Sequence, residues 1–559
     1  MPAESEQKHR EKSLESWLEH HGGLAAAMVV LAGFLARLWA ASGTFLNPDE
    51  ALHFGIANQA SLAAVYRASL AESHPPLLYW VLHFQRGLGT SELWLRMPSV
   101  LAGTVFCWLL FRWLTQVTGR LAGLVGVILT AFLPPIVRLS AEVRQYALLV
   151  AFLVGALYFL ERALADDSRW LMAASAVCVY LAMLSHYSAL FCVAGLGVYA
   201  SLKIFQPVRA PSRKVVAVWA AGQLLALALL AFLYNTHLSH LGQGESRTVL
   251  QGWMSEFYLR RSYFEAGRDN PLLFAIGHSF GVFQFIFGQL AAGDVAGLMF
   301  LAGVVLLWWA RGETKTASRQ LALFLVFLFA LACGASLAHV YPYGGTRHTA
   351  YLIIPAVAGV SYAIARLAGE RWMRGVGSVL VIVVICAAFG KQHRPYMTRA
   401  DQSRERMTDA MAFLRKNAAA GDVIFADFES SLVLGHYLCE QKPISVQDFG
   451  SQFETFSCAG YRVVFTNRRT ATNFTPEVFP ELDKNLVRTF GLKPGEQAWI
   501  FQAGWEANLP ERLRSMGGKF RDLAFHAFGD NIKIFKFACN SAASPAKLTV
   551  PAASAGTLA

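Results

Sequence analysis

The chain has 559 residues, of which 55% are hydrophobic, 13% aromatic and only 15% charged, with a mean hydropathy of +0.39. A soluble protein of this size carries about a quarter charged residues, so composition excludes a large soluble α/β enzyme and predicts a polytopic membrane protein. The formal net charge of +12 does not mark a nucleic-acid binder, because the Lys and Arg lie between apolar runs, as they do in cytoplasmic loops.

Residues 1–22 are polar and carry Lys8, Arg10 and Lys12. The apolar run that follows is long enough to span and continues into an acidic loop, so no cleavable signal peptide is expected. Apolar segments lie at 24–42, 97–111, 121–137, 146–160, 170–185, 188–204, 215–234, 293–310, 320–340, 349–366 and 376–390. That is about eleven spans, each near or below the roughly 20 residues a bilayer requires. Leu77 to Leu88 is apolar but shorter, and reads as an interfacial or re-entrant helix.

Basic residues fix the sidedness. The N-terminus, Arg112/Arg120, Arg162/Arg169, Lys203/Arg209/Arg213/Lys214, Arg311/Lys315/Arg319 and Arg366/Arg371/Arg374 all fall on one side if 77–88 does not cross. By the positive-inside rule that side is the cytoplasm. The opposite face then holds 43–96, 138–145, the 186–187 turn, a loop from 235 to 292, the 341–348 turn and everything after 391. The region from 393 to 540 changes character: short β-rich runs alternate with helical patterns and predict a small extracytoplasmic α/β domain. The tail, 541–559, is rich in Ala, Ser and Pro and is expected to be disordered. The expected organisation is thus a 1–22 cytoplasmic segment, a 23–392 membrane domain, the 393–540 domain and the tail.

Of the 8 Cys, Cys107, Cys178, Cys192, Cys333 and Cys386 read as small buried hydrophobes within spans. Cys439, Cys458 and Cys539 lie in the polar region, where two of them can pair if it is outside the cytoplasm. There is no CxxC or other metal spacing.

The chemistry concentrates on the outer face. Asn47-Pro-Asp49-Glu50-Ala-Leu-His53-Phe54 follows the first span, and an acidic pair there is costly without water and a task. One reading makes Asp49 a general base with Glu50 holding the acceptor or a metal; the other makes the pair a helix start, where acids are favoured. Glu72, His74, Pro75 and Pro76 precede a helix start at Leu77, whose N–H groups and His74 suit an anion. The same residues also read as a plain interfacial helix end. Glu142, Arg144 and Tyr146 open the fourth span. They read either as an interfacial salt bridge with a Tyr anchor or as a phosphate contact from Arg144 with Glu142 toward the sugar or acceptor. His186 sits in a tight turn, where a lone histidine is usually structural. Tyr341, Tyr343, Arg347 and His348 suit either a lipid phosphate or an aromatic belt. Together these residues describe transfer from a lipid phosphate, in which a carboxylate activates a hydroxyl and cations take up charge on the departing phosphate.

In chain order, Asp49-Glu50, His74-Pro-Pro-Leu-Leu-Tyr-Trp80, Leu95-Arg-Met-Pro-Ser99 and Ser140-Ala-Glu-Val-Arg-Gln-Tyr-Ala147 resemble the GT-C membrane glycosyltransferases. The likeness is closer to the bacterial relatives of dolichyl-phosphate-mannose protein mannosyltransferases and to the lipid A aminoarabinose transferases. It covers roughly 24–390 and is best over 45–190. It implies a polyprenyl-phosphate-sugar donor, a lipid, glycan or protein acceptor, and inverting transfer on the periplasmic face of a bacterial inner membrane. It further implies Asp49 as base with Glu50 as partner, and His74 at the donor phosphate with Arg144, Arg347 and His348. Glu142, Tyr146, Glu72 and His186 would line the cavity. Aminoarabinose transferases typically carry Lys where this chain has His74, which argues against lipid A as acceptor. The residues do not by themselves demand a cofactor, and a divalent metal on Asp49, Glu50 and Glu142 is compatible with them.

Two other classes fit the composition: a transporter or flippase of lipid-linked glycans, and a polysaccharide polymerase or ligase. The first calls for two related halves and polar or broken helices at mid-span; the sequence shows no such halves, and its ionisable groups cluster at one face. The second uses a pyrophosphate leaving group.

Overall fold

The computed structural model describes residues 2–70, 72–205, 210–239, 259, 261–311, 315–369, 402–439, 453–466, 496–503, 520–529 and 531–539. The expected span at 376–390 and the 541–559 tail lie outside them. The chain divides into two units, Met1–Ser42 with Gln59–Pro395, and Gly43–Asn58 with Tyr396–Ala559.

The first unit is helical. Its elements are α1 (Pro2–Ala41), then, past residues 43–58, α3 (Leu62–Ser69), α4 (Leu77–Gln85), α5 (Glu92–Thr118), α6 (Arg120–Phe132), α7 (Pro134–Leu139), α8 (Tyr146–Ala165), α9 (Arg169–Ser185), α10 (Ala189–Phe205) and α11 (Arg213–Leu233). A π-helix, Tyr234–Leu238, follows, then α12 (Pro271–Phe287), α13 (Leu290–Trp308), α14 (Lys315–Leu337), a 3₁₀ turn at Arg347–Leu352 and α15 (Ile353–Gly369). Among the described residues 7 helices are long and apolar enough to cross a membrane, and Arg120–Phe132, Arg169–Ser185, Ala189–Phe205 and Pro271–Phe287 are shorter apolar helices. Each expected span within the described residues coincides with one of these. Helix α4 has 9 residues, roughly 14 Å at 1.5 Å per residue, far short of a crossing.

Two expectations need correction. The segment 235–292, read as a loop, contains α12, because Asn270 caps it by accepting from the N–H groups of Leu272 and Leu273 and Pro271 starts the first turn. Its Gly281 backs onto Gly345 and its Gly288 onto Pro135, and Tyr343 meets Ser279 at 2.6 Å. Helix α12 therefore packs against the end of the bundle that holds α7 and the 341–348 turn. The run 121–137 is not continuous either. Pro134 and Pro135 end α6 at Phe132 and start α7, since proline cannot donate to the helix ladder.

That break leaves carbonyls without helical donors inside the bundle, and Arg37 of α1 supplies donors. Arg37 is fully buried, with Nη2 donating to Thr130 O at 2.8 Å and Nη1 to Ala131 O at 3.3 Å and Gly33 O at 3.0 Å. The close approach requires glycine: a Cβ on Gly103 would fall 2.9 Å from Arg37 Nε and 2.3 Å from Ser140 Oγ. Arg96 of α5, also buried, donates from Nη1 to Ala41 O at 2.8 Å and so closes the end of α1. At the opposite end, Lys203 Nζ meets Glu161 Oε2 at 2.8 Å and the Tyr199 hydroxyl donates to Oε1 of the same carboxylate.

The second unit joins α2 (Pro48–Ala57) to α16 (Arg404–Asn417), β1 (Val423–Ala426), α17 (Phe428–Tyr437), β2 (Phe453–Cys458), β3 (Tyr461–Thr466), β4 (Gln497–Ala503), β5 (Phe520–Ala527) and β6 (Ile532–Cys539). The sheet order is β2-β3-β1-β4-β6-β5. β1 runs parallel to β3 and β4, and the outer pairings are antiparallel. Continuous apolar runs such as Val423–Ala426 suit a strand covered on both faces. Cys439 and Cys458 form a disulfide between the end of α17 and the end of β2, with 5.0 Å between Cα atoms.

Residues 43–58, expected within the 23–392 domain, belong to this unit. The reason is Phe45, which is fully buried in the same core as Met407, Met411, Leu414, Ile424 and Trp499.

Candidate active site

The two halves of the candidate machinery lie in different units and are described separately. In the second unit, Asn47 caps α2: its Oδ1 accepts from Glu50 N at 3.0 Å and its own N–H donates to Glu50 Oε2 at 3.0 Å. This reciprocal capping box realises the helix-start reading, with Asn47 rather than either acid as the cap. It also separates the acidic pair. Glu50 is fully buried and committed to the cap, whereas Asp49, one position earlier in the first turn, is half-buried. His53 Nδ1 lies 2.6 Å from Asp49 O. A carbonyl only accepts, so Nδ1 carries the proton.

In the first unit the fold gathers residues from four separate stretches. Arg144 is buried, and its Nε lies 4.0 Å from Glu142 Oε2. Its carbonyl accepts from Ser99 Oγ at 2.9 Å, which ties the Leu95–Ser99 stretch to the start of α8. The His186 ring stands 5.1 Å from that of Tyr146 and 5.5 Å from that of His74. Arg347, Arg144 and His186 are all close enough to His348 to act on it electrostatically. Burial, reinforced by Arg347, pushes the His186 imidazole down to about 3. Its Nδ1 accepts from Ser188 N at 3.1 Å, so it is neutral, with its proton on Nε2. His186 therefore contributes a hydrogen-bonding group to the cluster, and Arg144 and Arg347 contribute the charge. Two guanidiniums set among imidazoles make a surface suited to a phosphate.

The remaining sequence candidates fall nearby or take other roles. Glu72 is buried in the link between α3 and α4, its N–H donating to Ser69 O at 3.1 Å. Tyr343 is fully buried and bonded to Ser279, and the Tyr341 hydroxyl donates to His348 O at 3.3 Å. Tyr343 thus serves packing, and Tyr341 is tied to the 3₁₀ turn that carries His348. Among the described residues no three His, Cys, Asp or Glu side chains group as a metal site requires.

Sequence reasoning missed a second cluster beside the first. The Tyr66 ring lies 6.3 Å from Trp80 and 5.6 Å from His237, and Tyr187 lies 6.3 Å from His237. The Tyr66 and Tyr187 hydroxyls are buried and have no hydrogen-bond partner among the described residues. His237 is presented by the π-helix, a form often found at functional sites. The four residues come from three distant stretches; Trp80 lies in the His74–Trp80 motif and Tyr187 in the 186–187 turn, and no local pattern joins them to Tyr66 or His237. An apolar cavity of about 560 Å³, lined by Met183, Leu190, Val198, Phe205, Leu227 and Leu230 among others, lies between α9, α10 and α11.

A family model described as dolichyl-phosphate-mannose-protein mannosyltransferase matches residues 73–234. Among solved structures, ArnT from Cupriavidus metallidurans in the apo state is similar over 94% of this chain and 98% of its own, at 12% identity and a TM-score of 0.52. The chain shares the GT-C fold of ArnT. The same ArnT bound to undecaprenyl phosphate aligns over 91% of this chain and 97% of its own, at 14% identity and a TM-score of 0.38. AglB, an oligosaccharyltransferase from Archaeoglobus fulgidus in complex with an inhibitory peptide and a dolichol-phosphate, aligns over 87% of this chain and 70% of its own, at 10% identity and a TM-score of 0.46. Compared with curated protein sequences, the chain finds no significant match. With this fold and its long apolar helices the chain is a multi-pass membrane protein.

Proposed function

We propose that the protein transfers a sugar, with inversion, from a polyprenyl-phosphate-linked donor to an extracytoplasmic lipid, glycan or protein acceptor. The observation that carries this reading is the grouping of Arg144, Arg347, His186 and His348, scattered over some two hundred positions of sequence, into one cationic cluster next to His74. The match of residues 73–234 to the dolichyl-phosphate-mannose-protein mannosyltransferase model supports it.

Asp49 takes the proton from the acceptor hydroxyl as the acceptor oxygen bonds to the anomeric carbon. The bond from that carbon to the phosphate oxygen breaks, and its electron pair goes to the phosphate, where Arg144 and Arg347 stabilise the charge. His74 and His348 contact the same phosphate, and Glu142, Tyr146, Glu72 and His186 shape the cavity around it. Tyr66, Trp80, Tyr187 and His237 offer ring faces and hydroxyls to the sugar. The cavity between α9, α10 and α11 takes part of the lipid chain. The membrane is the bacterial inner membrane with the C-terminal domain periplasmic, a placement supported by the Cys439–Cys458 disulfide, which persists in oxidising compartments. The guanidiniums supply charge stabilisation whether or not a metal takes part.

The test uses full-length protein in nanodiscs and a deletion strain. Arg144→Ala and Arg347→Ala should each weaken undecaprenyl-phosphate binding at least tenfold. Asp49→Asn should bind normally but restore no product, as read by mass spectrometry of envelope glycoconjugates. Normal product from Asp49→Asn removes the assignment of the base. Loss of transfer in EDTA would show that a metal takes part.

A further inference from the structure

The stretch that carries Asp49 folds as part of the C-terminal unit, and several struts tie it there. Thr44 pairs with Ser403 in an antiparallel bridge. Phe45 N donates to Gln402 O at 2.9 Å, and Arg404 N to Gly43 O at 2.9 Å. Phe45 then enters the core of the unit. Leu46 N donates to the Tyr437 hydroxyl at 2.8 Å. The Phe45 and Tyr437 rings meet edge to face at 6.5 Å, and Phe54 meets His436 at 5.7 Å. Leu46 is the residue before the Asn47 cap, so the Tyr437 bond fixes the direction in which the chain enters α2. The capping box then transmits that direction to Asp49, two residues on.

From this we infer that the C-terminal unit positions the general base, with Tyr437 as a positioning residue for Asp49. The inference rests on the reading of Asp49 given above. It assigns the small α/β domain a task in turnover, whichever acceptor the enzyme uses. The geometry favours it over a passive cover: two backbone bonds, a core phenylalanine, one hydroxyl and two ring contacts converge on a segment of sixteen residues, Gly43–Asn58. Side chains at a helix entry that are held by this many groups are suited to keeping a catalytic atom within the tight tolerance that turnover needs.

The test uses the full-length protein with Tyr437→Ala and Tyr437→Phe. Backbone hydrogen exchange of residues 46–57 should rise about tenfold in Tyr437→Ala and less in Tyr437→Phe, which keeps the ring. Tyr437→Ala should bind undecaprenyl phosphate as the wild type does, yet restore little product to a deletion strain. Unchanged exchange in Tyr437→Ala overturns the inference. So does faster exchange with normal product, since the position of the helix would then not limit transfer. If Tyr437→Ala fails to fold, Tyr437→Phe decides by the same two readings. Asp49→Asn runs alongside: full product from that variant removes the base itself, a failure distinct from that of Tyr437.

Discussion

Arg37 donates to Thr130 O at 2.8 Å from a site with no solvent exposure, inside a segment long and apolar enough to span a membrane. The bond exists because Pro134 and Pro135 break the helix whose last turn holds Thr130. A buried guanidinium is tolerated where its donors replace those a broken helix lacks.

Replacing Arg37 with Met should therefore destabilise the protein through the carbonyls it abandons, at about 1–3 kcal/mol for each unsatisfied group. Arg37→Lys keeps one donor and should fall between the two. Thermal unfolding in detergent measures the order. A Met variant as stable as the wild type would show that the break is satisfied some other way.

The acidic pair should separate on mutation. Glu50 holds the Asn47 N–H through Oε2, a task a Gln at the same position performs equally well. Glu50→Gln should retain most activity, and Glu50→Ala should lose about 1 kcal/mol of stability with the cap. Asp49→Asn, by contrast, should leave stability unchanged and abolish product. Equal loss of turnover in Glu50→Gln and Asp49→Asn would assign Glu50 a chemical part.

His186 should stay neutral through the working range. Its imidazole is pushed down to about 3 by burial and by Arg347, so the folded protein binds a proton less readily than the unfolded chain does. Stability from this site is present above the ordinary value near 6.5 and declines as pH falls toward 3. Its ring resonances should show no titration between pH 5 and pH 8, and a midpoint within that window would contradict the burial argument.

The second unit should lose stability as pH rises. Burial lifts the Glu429 carboxyl from an ordinary 4.5 to about 8, with help from Asp427, and lifts Asp427 from 3.8 to about 6. Groups that hold protons more tightly when folded stabilise at low pH, and that stability is lost as pH passes through the raised values. Glu429→Gln cannot ionise, so its Tm relative to wild type should climb between pH 5 and pH 9. A constant difference across that range would remove the effect.

The sequence by itself determined what solvent this protein lives in and where nearly all its described apolar helices lie, and it marked the acids and cations proposed to carry the chemistry. Composition and apolar run length report those properties directly, because each depends on residues adjacent in the chain. The residue types at 49, 74, 144 and 347 were legible for the same reason. Helix α12 is less legible, because its apolar run follows a long polar stretch and only the caps Asn270 and Pro271 mark its start. Only the tertiary structure decided that Asp49 folds with the C-terminal unit, that Arg37 bridges a broken helix, and that Tyr66, Trp80, Tyr187 and His237 form one cluster. Each of these depends on a contact between residues far apart along the chain. Leu46 and Tyr437 are separated by 391 positions, and no local pattern of charge or hydropathy encodes a partner at that distance.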